Sequence, residues 1–87
     1  MTNARELRLN ELENVVGGLQ TGKVYTVSGV KNFLGFRNDC AYKDSNIIRK
    51  YHNGDKLEYC GKGAHGYVLV SDVSDGRMGY VNGEYLR

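Results

Sequence analysis

Six short runs of β-branched and aromatic residues, each closed by a turn signal, constrain this 87-residue chain more than anything else in it. They are Lys23–Ser28, Asn32–Arg37, Asn46–Tyr51, Lys56–Cys60, Gly66–Ser71 and Arg77–Val81. Val, Ile, Tyr and Phe suit a pleated, half-buried surface, and runs of this length are strands rather than helices. In Lys56–Cys60 the alternation is explicit: Leu57 and Tyr59 fall on one face, Lys56 and Glu58 on the other. Asn53-Gly54 gives a strong hairpin signal, Ser74-Asp75-Gly76 marks another turn, and Gly35 marks a bulge or a close backbone approach. Strands this short and closely spaced predict an all-β fold, a small barrel of five to six antiparallel strands.

The chain changes character once, at Gly17-Gly18. Before it, residues 3–16 are rich in Glu, Leu, Arg and Ala, good helix formers, and the two glycines supply a stop. At helical spacing Ala4, Leu7, Leu12 and Val15 fall within an arc of about 140°. A helix so short is marginal alone and needs a partner surface, its own barrel or another protein. The pattern Leu7-x-x-x-Glu11-Leu12-x-x-Val15-x-Gly17-Gly18 resembles the double-glycine leader of bacteriocins and related exported peptides. That resemblance implies a leader, residues 1–18, recognised by a peptidase-containing ABC transporter and cut after Gly18, leaving a domain of residues 19–87. It further implies a cytoplasmic precursor and a secreted product. The alternative is a helix that packs permanently on the barrel and turns at the glycines.

Beyond residue 23 the order of motifs resembles the bacterial SH3 family. Leu34-Gly-Phe-Arg37 is similar to its Leu-Asn-Val-Arg, and Ile47-Ile48 through Tyr59 to its central hairpin. Gly66-Tyr67-Val68-x-Val70 is similar to Gly-Trp-x-x-Val, with Tyr67 in place of Trp. Gly79-Tyr80-Val81 with Tyr85-Leu86 is similar to the closing Gly-Tyr-Val … Tyr-Leu. The resemblance implies an SH3-like barrel whose Tyr67, Tyr80 and Tyr85 line a shallow groove beside the loop carrying Tyr42. Its ligand would be an extracellular peptide or a cell-wall polymer. Tyr25, Tyr51 and Tyr59 are assigned to packing.

Composition excludes other classes. Twelve Lys and Arg stand against ten Asp and Glu, scattered along the chain, so no basic face for nucleic acid is expected. No apolar run approaches the ~20 residues that span a bilayer, so stable membrane insertion is not expected. Nor does an apolar secretory h-region follow Arg5 and Arg8. Cys40 with His52 or His65 is a poor thiol dyad for a barrel of this size, and no enzymatic activity is expected. The two Cys and two His lack the close pairs of a zinc knuckle, so neither metal nor cofactor is expected. In the oxidising exterior that the leader implies, Cys40 and Cys60 could form a disulfide; in a reducing cytoplasm they would be two thiols. Two rival readings remain: a bacteriocin-like or signalling peptide precursor, and an intracellular SH3-like interaction module.

Overall fold

The computed structural model describes residues 18–87. The expected helix and the leader positions Leu7, Glu11, Leu12, Val15 and Gly17 lie outside the described residues. The fold is all-β, a barrel-like sheet of six antiparallel strands, with no α-helix among the described residues. The strands are β1 Val24–Thr26, β2 Leu34–Arg37, β3 Ile47–Tyr51, β4 Lys56–Lys62, β5 Tyr67–Asp72 and β6 Met78–Asn82. Single 3-10 turns, Asp44–Asn46 and Gly83–Tyr85, precede β3 and follow β6.

Alternation fills the interior. Leu57 and Tyr59 from β4, Val68 and Val70 from β5, and Val81 from β6 join Val27, Leu34, Phe36, Tyr51 and Leu86 in one core. Tyr51 and Tyr59 are buried, and Tyr25 is half-buried against the core, which gives all three the packing role expected of them. Phe36 meets Tyr51 edge-on, with ring centroids 5.2 Å apart, a favoured aromatic geometry. Gly79 is required by this packing, since a Cβ there would stand 2.8 Å from the Phe36 ring.

The Asn53-Gly54 turn forms, but it does not make a hairpin. Sheet order runs β1-β4-β5-β6-β2-β3, so β3 and β4 are not neighbours. The turn closes on itself through Asp55 N–H to His52 O, and Gly54 takes a φ of +99°. Its outer groups then bond Val27: Gly54 N–H donates to Val27 O and Val27 N–H to Asp55 O, both at 2.8 Å. Those bonds continue the β1–β4 ladder one step beyond the Thr26–Lys56 pair. The C-terminus pairs with β1 as well, with Thr26 and Arg87 exchanging backbone hydrogen bonds at 2.9 Å. A turn read as a hairpin therefore passes the chain from β3, at one end of the strand order, to β4 beside β1.

Candidate functional site

Three loops that flank one end of the sheet enclose an open groove of about 390 Å³. The first wall is the segment 29–35, which runs from the β1–β2 loop into the start of β2. It is clasped by the Asn53 amide, which accepts from Val30 N–H and donates to Val30 O, each at 3.0 Å. The second wall is the loop 38–46. Asn46, buried, donates to Ala41 O at 2.8 Å, and Arg37 donates through Nη1 to Lys43 O at 2.7 Å. Because the carbonyls on both sides of Tyr42 are tied, the loop holds Tyr42 beside Arg37 while its side chain stays 85% exposed. Cys40 rests on the β4–β5 turn, where a Cβ on Gly63 would come within 3.0 Å of its Sγ. The third wall is the 3-10 turn Gly83–Tyr85, capped by Asn82 Oδ1 accepting from Glu84 N–H.

Tyr42, Tyr67 and Tyr85, three of the four tyrosines expected to line a groove, do line it. The fourth, Tyr80, does not. On β5 the outward face carries Tyr67 and Leu69, and in register beside them on β6 stand Asn82 and Tyr80. The groove takes the Tyr67–Asn82 row at the sheet's end; Tyr80 stands one row further in, half-buried next to Leu69 and Arg37.

Arg37 is the groove residue that the sequence reading did not single out as a site. It is 5% exposed, yet it lines the groove. Its Cζ lies 4.8 Å from the Tyr42 ring centroid and 5.9 Å from that of Tyr67, within cation–π range. Nη1 is fully used, donating to Lys43 O and to Asn46 Oδ1 at 3.0 Å. Nε and Nη2 donate to no protein group among the described residues. Gly35 makes this placement possible: a Cβ there would meet Nη2, Cζ and Nε at 3.0, 3.1 and 3.2 Å. The glycine read as a bulge or close approach is next to both, because the register of β2 against β3 shifts between Phe36 and Arg37. A charged residue at the end of an apolar strand was the available signal. Its meeting with Tyr67 is long-range and invisible to local pattern.

The remaining candidate groups lie elsewhere. Cys40 and Cys60 are both free thiols. Cys60 faces the Glu58 carbonyl at 3.6 Å, and burial, with help from the Glu58 charge, pushes its thiol up. His52 and His65 are exposed and outside the groove. No cluster of three or more His, Cys, Asp or Glu that could hold a metal occurs among the described residues. No helix among them is long and apolar enough to cross a membrane. Comparison with known proteins found no matching family model, no matching curated protein and no matching solved structure.

Proposed function

We propose that this chain is an exported, non-enzymatic binding module related to bacterial SH3 domains, made as a double-glycine-leader precursor. Its ligand is an extended extracellular peptide or a cell-wall polymer, and it binds in the groove of Tyr42, Tyr67 and Tyr85. The observation that carries this reading is the convergence of those three rings, from distant parts of the chain, on one open cleft. Tyrosine gives a flat apolar contact and a hydroxyl with few rotamers to freeze, which suits recognition of an extended chain. The groove is open and shallow, a form that holds a strand of polymer better than it encloses a reacting small molecule.

The leader reading is supported by the sequence pattern ending at Gly18 and by the first packed residue that follows. Leu19 packs against the core, whereas Gly18 is exposed with no neighbour within 4 Å of a Cβ position. Cleavage between them would leave the whole barrel intact. Two measurements test the proposal. In co-sedimentation with purified cell walls, the wild-type chain should pellet, and Tyr67→Ala should lower the pelleted fraction with its melting temperature little changed. Equal pelleting of both would remove the groove from the account. The intact mass of protein from the culture medium should correspond to a chain beginning at Leu19. Full-length protein found only inside the cells would end the export reading.

A further inference from the structure

We propose that the groove recognises a carboxylate on its peptide ligand, and that the free Nε–Nη2 edge of Arg37 receives it. The proposal rests on the peptide-binding reading above and deepens it. A guanidinium carries five N–H donors and no acceptor. In Arg37 the Nη1 donors are spent on Lys43 O and Asn46 Oδ1, while those of Nε and Nη2 meet no protein acceptor among the described residues. The residue is nevertheless 95% buried, being 5% exposed, and it lines the groove. Buried donors without partners are costly, and the energetic case for a ligand acceptor is strong.

The chemistry of the acceptor follows from the donors. Nε–H and one Nη2–H are parallel and match the two oxygens of a carboxylate, forming a short, charge-assisted, bidentate pair. Arg37 is also pre-organised: Asn46 and Lys43 fix Nη1, Gly35 leaves room for the plane, and the Tyr42 and Tyr67 rings stand nearby. Little rotamer entropy is left to lose on binding. Charge balance agrees. Arg37 and Lys31 line the groove against a single acid, Asp44, and both Lys31 and Asp44 are exposed. The groove therefore has one positive charge in excess.

Arg49 is the internal control. It meets carboxylates within the protein, Asp72 at 2.8 Å and Asp75 at 2.5 Å. No acid of the described chain pairs with Arg37.

The test is calorimetric titration of the full-length protein with the tetrapeptide Ala-Glu-Lys-Ala in four forms. These are the free acid, the C-terminal amide, the glutamine-for-glutamate form, and the form with both changes. Loss of the carboxylate that Arg37 reads should weaken binding about tenfold or more, the worth of a charge-assisted hydrogen bond. Which single change does so identifies the source, chain terminus or side chain. Arg37→Lys keeps the charge but lacks the fork, and should clearly narrow the gap in affinity between the free acid and the doubly neutral form. Since that variant also loosens the 38–46 loop, Tyr42→Ala serves as the second variant. Its exposed ring can be removed without disturbing the core, and affinity for the free acid should fall several-fold. Equal affinity for all four forms would overturn the carboxylate proposal and leave the peptide groove standing. Absence of binding by any form would overturn the carboxylate proposal, while Tyr67-dependent retention on cell walls would still report separately on the groove.

Discussion

Arg37 and Arg49 face each other's strands, β2 and β3, yet their surroundings are opposite. Arg49 is about one-third exposed and closed off by acids: Nη1 reaches Asp72, and Nη1 and Nη2 together grip Asp75. Asp72, buried, is itself saturated, accepting from Tyr51 Oη at 2.5 Å and from both the backbone N–H and hydroxyl of Ser74. Those bonds, with the Ser74 hydroxyl and the Tyr51 phenol foremost, hold its carboxyl well below the usual carboxylate range. The pair of regions shows how one residue type serves two ends. A guanidinium paired with two carboxylates within the chain fixes the β3–β5 side of the barrel. One left half-matched at a groove is available to a ligand.

Breaking the closed region should have the largest effect. Asp72→Ala strands the buried Tyr51 hydroxyl and unties the turn after β5, and should cost about 2–3 kcal/mol of stability. Urea denaturation reads this, and the peptide affinity of the folded fraction should not change. On the open side, Gly35→Ala should displace the Arg37 guanidinium and cost about 1 kcal/mol, an overpacking penalty at the low end of the usual range. Its distinctive mark is weaker peptide binding, measured by calorimetry on the folded variant. A stability loss with full binding would show that Arg37 is not held by Gly35.

The closed region should also set the pH limits. Desolvation, aided by the Asp72 bond, pushes the Tyr51 phenol up to about 12, from an ordinary value near ~10. A group raised on folding contributes stability that is present below its unfolded value and lost as pH climbs to the folded one. Wild type should therefore lose stability between pH 10 and about 12, and Tyr51→Phe should lose less, the remainder coming from Tyr59, whose phenol burial also pushes up. Asp72 works in the other direction. Its contribution is present above the ordinary carboxylate value and drains away as pH falls below about 4. Melting temperatures across both ranges check the two slopes. The smallest effect belongs to Asp75→Asn, because Asp75 is an exposed partner, screened by water. Its melting temperature should stay close to wild type at moderate salt.

Much of the barrel was legible because its signals are local. The Leu57/Tyr59 alternation, the Val68/Val70 pair and the turn at Gly76 each place a residue without reference to distant chain. The neighbours of β3 were not legible. An Asn-Gly turn specifies a chain reversal, and the long-range pairing of β4 with β1 and of β3 with β2 sets the flanking strands apart. The same division holds at the site. Tyr67 and Tyr85 were indicated by family-like motifs, whereas Tyr80, in a motif of the same kind, falls one sheet row short. Arg37 stood inside a quoted motif, but its open edge is set by what surrounds it in three dimensions: Gly35, Lys43, Asn46 and the rings of Tyr42 and Tyr67.

The central claim is that ligand meets this molecule at the open arginine and not at the closed one. The most direct measurement is a nitrogen-15 correlation spectrum of the full-length protein, including arginine Nε–H signals, titrated with solubilised cell-wall peptides. The account predicts shifts confined to residues 29–35, Tyr42, Tyr67, Tyr85 and the Arg37 Nε–H, with Arg49 unmoved. Shifts centred on Arg49, Asp72 and Asp75, with the groove silent, would contradict it.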